Sequence, residues 1–373
     1  MLVGIMSMQR IINFGSVMQA LSLKSMIEEL GCRVVFVDYK LESCIEKDRG
    51  TLKGRIKASP LGRKLTALKY RYKRKSYKNR QLKLQRYAGI YKMLGLDEKP
   101  HYRTRVDVLV IGSDEVFNCT QSNKDVGFSQ ELFGKNNRAK RLISYAASFG
   151  FTRYEDLVGY GIDKVIAERL RSFDSISVRD ENSENIVYKL TDHHPQSHLD
   201  PVLVGDLETR EWRMPDIEQD SYIAVYGYGR RFTDDEGKAI NAFAKREGLK
   251  TIAVFGRADF CDEFIECLPE EIFGYFKKAK YIVTETFHGA IFSMILHKTF
   301  VVFDRKKSRI NITNHEKLYD MLQKMGLTDR IVNDLSELGS VMKQPIDFSA
   351  VDKKRKAERE RTMQYLKENI LEQ

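Results

Sequence analysis

Short apolar runs, each followed by a polar turn and a segment with helical spacing, alternate along this chain. Leu2–Met6 is the first such run; a helical pattern then ends near Gly31, and residues 33–38 are again strand-like. Continuous apolar runs are typical of strands covered on both faces. Strands that alternate with helices pack as parallel sheets with crossover helices. The sequence therefore predicts an α/β fold.

The same pattern continues along the rest of the chain. Further strands are predicted at 108–111, 142–146, 175–178, Tyr222–Tyr226, 251–255, Tyr281–Thr284 and 299–303. Helices are predicted at Asp234–Glu247, 289–296 and 352–372.

The length of the chain predicts two lobes. A length of 373 residues exceeds what one hydrophobic core usually serves. A polar, turn-rich stretch through Asp206, Glu208 and Pro215 is the best candidate for a boundary. We therefore expect an N-terminal α/β lobe at 1–205, a C-terminal α/β lobe at 206–345 and a closing helix at 346–373.

The net charge of +11 is concentrated in one segment. Residues 51–92 carry many lysines and arginines and no aspartate or glutamate, with tyrosines and leucines at roughly helical intervals. This pattern predicts a basic helical insertion at about 51–95 in the N-terminal lobe. Its basic face can be merely solvated, can bind nucleic acid, or can contact an anionic membrane, where each basic residue contributes about 1 kcal/mol. Nucleic acid is not expected, because no RNA- or DNA-binding motif accompanies the segment.

The rest of the sequence points to a cytoplasmic protein. Its apolar runs stop far short of the roughly 18 residues of a membrane span, and its start lacks the features of a secretion signal. We expect peripheral contact with the inner face of the membrane through 51–92. The five cysteines form no CxxC pair and are predicted to be reduced. His193, His194 and His198 lack a matching carboxylate pattern, so no metal site is predicted.

Candidate site residues follow five of the predicted strands, because parallel sheets form their sites at the carboxyl ends of strands. These segments are Asn13-Phe14-Gly15-Ser16, Gly112-Ser113-Asp114, Ala146-Ala147-Ser148-Phe149-Gly150, Ser177-Val178-Arg179-Asp180 and Glu285-Thr286-Phe287-His288-Gly289.

In this order, and together with Asp200-Pro201, the segments resemble the motifs of the polysaccharide pyruvyl transferase family. The family pattern N-x-G-[SA]-x-x-Q, for example, is matched by residues 13–19. The resemblance runs from about residue 4 to about 326 and is interrupted by the basic insertion. Three positions depart from the family pattern. Phe117 stands where members often have tryptophan, Val202 where they have threonine, and Thr286 where some have arginine.

The resemblance implies two Rossmann-like lobes that face a cleft, in a GT-B-like arrangement. It implies a transferase that moves the pyruvate of phosphoenolpyruvate onto a sugar of a surface-polysaccharide precursor as a cyclic ketal, releasing phosphate. Phosphoenolpyruvate is the donor substrate, and no cofactor or metal is expected. The acceptor is expected to be lipid-linked, as in capsule and exopolysaccharide biosynthesis.

Phosphoenolpyruvate carries a carboxylate and a phosphate, so its site requires guanidinium groups and helix N-termini. Arg179 and the helices that open after Gly15 and His288 offer both. If the arginine that Thr286 replaces contacts the donor in relatives, this chain needs another cation. The candidates are Arg179, Arg230, Arg257 and Arg309.

His288 is the candidate for proton transfer, because an imidazole titrates near neutral pH. Asp114 is a second candidate acid or base. Structural alternatives stay open: helix capping or packing for His288, capping for Asp114, and an ion pair with Asp180, Glu181 or Glu184 for Arg179. The remaining predicted substrate-binding residues are Asn13, Gly15, Ser16, Gln19, Ser113, Ser148, Thr286, Gly289 and Arg309.

Two other functions compete with this prediction. A nucleotide-sugar-dependent glycosyltransferase would share the two-lobe plan, but it needs a carboxylate or an arginine-lysine pair for the nucleoside diphosphate, and no such signature follows Thr251. A nucleic-acid-binding protein built around the basic segment would show a steep salt dependence of binding.

Overall fold

The computed structural model describes residues 1–42, 85–103, 105–121, 123, 125–229, 231–303 and 312–372. It divides into two compact units, Met1–Ser197 and His198–Gln373. Most of the predicted basic insertion, together with Arg230 and Arg309, lies outside the described residues.

The first unit is built on a six-stranded parallel sheet with the order β2-β1-β3-β4-β5-β6. Its strands are β1 (Leu2–Met6), β2 (Arg33–Phe36), β3 (Val108–Asp114), β4 (Arg141–Ala147), β5 (Ser177–Val178) and β6 (Gln196–Ser197). Its α-helices are α1 (Phe14–Glu29), α2 (Ala88–Leu94), α3 (Tyr154–Gly159), α4 (Asp163–Leu170) and α5 (Glu181–Thr191), and a 3₁₀ helix covers Gln130–Phe133.

The second unit repeats this plan with the strand order β12-β11-β10-β7-β8-β9. Its strands are β7 (Tyr222–Tyr226), β8 (Lys250–Ala253), β9 (Glu263–Phe264), β10 (Tyr281–Thr284), β11 (Phe300–Phe303) and β12 (Ile331–Val332). Its α-helices are α6 (Pro201–Val204), α7 (Asp234–Glu247), α8 (Ile272–Lys278), α9 (Phe287–Ile295), α10 (Ile312–Met325), α11 (Leu338–Lys343) and α12 (Phe348–Ile370). Short 3₁₀ helices cover Leu207–Thr209, Pro269–Glu271, Thr328–Arg330 and Leu335–Glu337.

Each sheet has one topological switch point, where successive strands stop being added on one side of the first strand and are then added on its other side. In the first sheet the chain adds β2 on one side of β1 and then β3 on the other. In the second sheet β8 and β10 lie on opposite sides of β7. Ligands of parallel sheets bind at such a switch point, beyond the carboxyl ends of the two central strands. The topology therefore directs attention to the loops after β1, β3, β7 and β10.

The predicted α/β class with two parallel sheets is confirmed. The strands at Leu2–Met6, Tyr222–Tyr226 and Tyr281–Thr284 and the helix at Asp234–Glu247 have the predicted bounds. That helix is defined by its ends, because Thr233 and Glu236 form a capping box and Gly248 ends it in the left-handed conformation. The strands β6, β9 and β12 were not predicted, since two residues are too few to show a period.

The two units divide between Ser197 and His198, earlier in the chain than the lobe boundary predicted after residue 205. The Asp-Pro turn explains the difference. It opens α6, whose terminal carbonyl of Leu203 accepts a 2.8 Å hydrogen bond from Arg355 of α12. The turn therefore packs with the second unit. Among the helices in the described part of the chain, none is both long and apolar enough to cross a bilayer.

His198 is buried against the ring of Tyr365 on α12, with ring centroids 4.6 Å apart. Burial, and secondarily the charge of Arg361, lower the pKa of His198 to about 4. The folded protein therefore holds His198 neutral where the unfolded chain, with an ordinary pKa near 6.5, takes up a proton.

We expect this histidine to make the protein acid-sensitive. Its contribution to the free energy of unfolding is complete above pH 6.5 and is lost as the pH falls toward 4, by about 3 kcal/mol over that interval. His198→Phe keeps an aromatic ring and removes the titration, so its urea-unfolding free energy should fall less between pH 7 and pH 4. His194→Phe, at an exposed position, is the control. An unchanged pH profile in His198→Phe would contradict the prediction.

Candidate functional site

At the switch point of the first sheet, side chains at the start of α1 and at the end of β3 are hydrogen-bonded to each other. Asn13 is the N-cap of α1, and its side chain accepts a hydrogen bond from the amide of Ser16. The Ser16 hydroxyl donates to Asp114 Oδ2 at 2.6 Å, and the amide of Glu115 donates to Asp114 Oδ1 at 2.9 Å. No helix follows β3 directly, so Asp114 does not cap one. Its carboxylate instead ties the two loops together, and its catalytic role stays a prediction.

Gln19 connects three of the sequence motifs inside the first unit. Its side-chain oxygen accepts hydrogen bonds from the Ser113 hydroxyl and, at 3.2 Å, from Arg179 Nη1. Gln19, Ser113 and Arg179 are all buried, and Gly15 is buried in the first turn of the same helix. The amide oxygen of Gln19 therefore orients the Arg179 guanidinium at the carboxyl edge of this sheet.

Asp180, one of the ion-pair partners considered for Arg179, is the N-cap of α5. It accepts hydrogen bonds from the amide and the hydroxyl of Ser183, at 2.9 and 2.7 Å. The Ser148 hydroxyl donates to its other oxygen at 2.5 Å. The predicted site residue Ser148 therefore supports the helix that follows Arg179.

In the second unit, Thr286 begins α9 as its N-cap. Its hydroxyl accepts a 3.0 Å hydrogen bond from the amide of Gly289. The Thr284 hydroxyl donates to Tyr226 O at 2.7 Å and so fastens the end of β10 to the end of β7. A Cβ atom at position 289 would come within 2.1 Å of the Thr284 hydroxyl oxygen, so the turn requires glycine there. Thr286, which departs from the expected family pattern, therefore serves as a helix cap in this chain.

His288 lies in the first turn of α9, and its side chain is 16% exposed. Its Nε2 is 3.6 Å from Oδ2 of Asp200, a carboxylate that is 1% exposed. The ring also contacts Phe287 and Phe292, with centroids 5.3 and 6.0 Å away. The structure therefore places the imidazole beside a buried carboxylate of the same unit, and the role of His288 in proton transfer stays a prediction.

From the sequence, Asp200 was identified only as part of the Asp200-Pro201 motif, without a role in the site. Asp200 is the N-cap of α6, and its Oδ1 accepts a 3.0 Å hydrogen bond from the amide of Val202. The signal of a cap was visible, because aspartate followed by proline is a common helix start. Its second oxygen faces a histidine far along the chain, which no local pattern indicates.

Glu285 was named only as part of a candidate segment without a role of its own, and Arg231 was not predicted at all. The Glu285 carboxylate is fully buried and accepts a 2.8 Å hydrogen bond from the amide of Tyr228. Arg231 donates from Nη1 to Glu285 at 3.3 Å and stacks 4.3 Å from the centre of the Tyr228 ring. The Arg231 side chain remains 30% exposed. These residues follow β7 and β10, so a held cation lies at the switch point of the second sheet.

The structure thus assembles the predicted residues in two groups, one in each unit. The first unit holds Asn13, Gly15, Ser16, Gln19, Ser113, Asp114, Ser148 and Arg179. The second unit holds Thr286, His288 and Gly289. Of the alternative cations, Arg257 forms an exposed ion pair with Asp259, and Arg230 and Arg309 lie outside the described residues. Within the part of the chain that the structure describes, no cluster of three or more His, Cys, Asp or Glu side chains is placed to hold a metal ion.

Several solved structures resemble the chain at low identity. The spinosyn rhamnosyltransferase SpnG aligns over 96% of both chains, with 11% identity and a TM-score of 0.45. The Methanocaldococcus jannaschii UDP-GlcNAc 2-epimerase in complex with UDP-GlcNAc and UDP aligns over 98% of this chain and 100% of its own, with 10% identity and a TM-score of 0.47. The Neisseria meningitidis UDP-GlcNAc 2-epimerase bound to UDP-GlcNAc aligns over 97% and 99%, with 10% identity and a TM-score of 0.45.

No curated protein sequence matches the chain. The sequence profile of the polysaccharide pyruvyl transferase family, in contrast, matches residues 13–307. This match starts at the cap of α1 and includes Arg179, Asp200 and His288. The chain belongs to the polysaccharide pyruvyl transferase family.

Proposed function

We propose that this protein transfers pyruvate from phosphoenolpyruvate to a sugar of a surface-polysaccharide precursor, where it forms a cyclic ketal. Family membership supports a pyruvyl transferase that acts in polysaccharide biosynthesis. The observation that carries the chemistry is His288, which faces the buried carboxylate of Asp200 beside the switch point of the second sheet. The reaction requires a group that gives a proton to carbon and recovers one from a hydroxyl.

The reaction has two bond-forming steps at C2 of the donor. A proton adds to C3, C2 becomes electron-poor, and the first sugar hydroxyl forms a C–O bond there. The C2–O bond to phosphate then breaks, phosphate leaves with the electron pair, and the second hydroxyl adds to the same carbon. One hydroxyl proton replaces the proton that C3 gained, and the other leaves with phosphate. Atoms and charges therefore balance without an oxidant or reductant.

His288 supplies the proton in this scheme. It protonates C3, and it regains a proton from the attacking hydroxyl. Asp200, whose carboxylate faces Nε2, orients the ring. Phe287 and Phe292 limit access of water to the ring, which strengthens this electrostatic interaction.

Arg231 is our proposed anion ligand in the second unit. A guanidinium has five N–H donors, and Glu285 uses Nη1 among the described residues. The Tyr228 ring and Glu285 fix its orientation in advance, which reduces the entropy cost of binding a carboxylate or phosphate. Arg231 would then supply the cation that Thr286 does not.

Arg179 is proposed to bind an anionic group of a substrate at the edge of the first sheet. Its charge is buried, it is oriented by Gln19, and it directly follows the carboxyl end of β5. Charge-assisted hydrogen bonds from a buried guanidinium are among the stronger polar contacts in proteins.

The proposal is tested by incubating the full chain with phosphoenolpyruvate and candidate lipid-linked saccharides. We expect phosphate release together with a mass gain of the saccharide equal to one pyruvate ketal. Sugar transfer from a nucleotide sugar, with no reaction of phosphoenolpyruvate, would show that the proposal is wrong.

The same assay tests the proposed peripheral membrane contact in the cytoplasm. The charge of residues 51–92 is the motivating observation. With the acceptor embedded in vesicles, the initial rate should be higher on anionic than on neutral lipid and should fall with salt. Equal rates on both lipids would contradict the membrane role.

A further inference from the structure

We propose that the C-terminal helix α12 positions the His288–Asp200 pair, with Arg355 as the principal positioning residue. This inference rests on the proposed role of His288 as the group that transfers the proton. The helix lies beyond residues 13–307, the part of the chain that the family profile matches.

Arg355 holds the short helix that carries Asp200. Helix α6 has four residues, too few for a stable helix on its own. Arg355 Nε donates to Leu203 O at 2.8 Å, and Arg359 Nη1 donates to Val204 O at 3.2 Å. Cations at a helix C-terminus satisfy its last carbonyls and interact favourably with its dipole. Asp200, at the other end of this single turn, is thereby fixed in direction.

The same arginine is linked through Asp352 to His297, which follows the helix that carries His288. His297 follows α9 and lies 2.9 Å from Asp352 of α12, and it stacks on Phe348 with ring centroids 4.9 Å apart. Asp352 in turn accepts a 3.2 Å bond from Arg355 Nη1. One side of α12 therefore contacts both elements, at the end of α6 and at the end of α9.

The charge of Arg355 is compensated where it is buried. The residue is 9% exposed, and its guanidinium bonds the Glu208 carboxylate in addition to the groups named above. A buried charge that is fully engaged has few alternative conformations, because leaving any partner exposes an unpaired group to a low dielectric. Arg355 thereby restrains the turn whose Asp200 Oδ2 lies 3.6 Å from His288 Nε2.

Histidine-selective ¹⁵N NMR of the full-length protein tests the inference without relying on activity. The ring signal of His288 is identified by its loss in His288→Ala, and Asp200→Asn gives the signal of a ring without its carboxylate. We expect Arg355→Met to move the His288 signal toward its position in Asp200→Asn and Arg355→Lys to move it less. Lys356→Met, an exposed neighbour on the same helix, should leave the signal in place.

A wild-type His288 signal in folded Arg355→Met would overturn the inference. If that variant does not fold, the His288 signal of Arg359→Met is compared with those of the wild type and Asp200→Asn instead, since the Arg359 side chain is less buried and bonds the same turn.

In the transfer assay we expect Arg355→Met to lower kcat about 10-fold with unchanged KM. Combined with Asp200→Asn it should cause little further loss, because the effects of coupled positions are not additive. Additive losses would indicate a general structural role. Absence of transfer by the wild type would contradict the proposed function, while the His288 ring signal would still show whether Arg355 positions the His288–Asp200 pair.

Discussion

Replacing His288 with alanine is expected to lower kcat for pyruvyl transfer by about 10²- to 10⁴-fold, the usual contribution of a positioned acid or base. The loss should appear in kcat rather than in KM, because protonation of C3 develops only in the transition state. The side chain is partly buried in the first turn of α9 and is not among the fully buried residues of that helix. The variant should therefore keep its thermal unfolding midpoint within a few degrees of the wild type. Phosphate release measured at saturating phosphoenolpyruvate checks the prediction.

His194→Ala is the matched control, because it removes an exposed imidazole from the first unit. It should leave kcat unchanged. Asp200→Asn should lose less than His288→Ala, since the ring stays in place and only its charge partner is gone. A His288→Ala variant that turns over at the wild-type rate would remove the proton-transfer role and leave the helix-packing alternative.

Most of the fold could be predicted from the sequence, because buried parallel strands leave a local signal. The strands β1, β7 and β10 are continuous apolar runs, and all but the first residue of β1 and of β10 are buried. The helix α7 has a complete set of start and stop residues. The two-residue strands β6, β9 and β12 have neither length nor period, so only their partners in the sheet define them.

Most residues of the candidate site were predicted from the sequence, but the hydrogen bonds between them were not. The motifs name Gln19 and Arg179, yet their hydrogen bond joins positions 160 residues apart. The bond between Ser16 and Asp114 spans 98 residues. Which side chain meets which depends on strand order, and strand order is set by tertiary packing rather than by local pattern. Periodicity therefore places residues at an edge of a sheet without pairing them.

Asp200, Glu285 and Arg231 illustrate a second limit. Each has an ordinary local explanation, as a helix cap, a turn residue or a surface cation. Their importance comes from partners in other elements: Arg231 meets Glu285 across 54 residues. A buried carboxylate such as Glu285 is costly unless it is bonded, so the structure reveals it at once, whereas a sequence shows only one more acidic residue.

The buried charge of Arg179 leads to the second large effect. Its Nη1 bonds the side-chain oxygen of Gln19, which orients the guanidinium at the end of β5. Two charge-assisted hydrogen bonds to a carboxylate or phosphate are worth about 1.5–3 kcal/mol each. A site that depends on these bonds should therefore bind its anionic substrate roughly 100-fold more weakly, or worse, when the guanidinium is removed.

Arg179→Met is accordingly expected to raise the KM of one anionic substrate about 100-fold, with phosphoenolpyruvate and the acceptor titrated separately to show which one it binds. Arg179→Lys keeps the charge without the planar fork and should recover only part of the affinity. Arg171→Met makes the same exchange at the opposite, amino edge of this sheet, where Arg171 bonds Leu190 O at 2.8 Å, and should leave both KM values unchanged. Unchanged KM values in a folded Arg179→Met protein would mean that Arg179 only braces Gln19 inside the first unit.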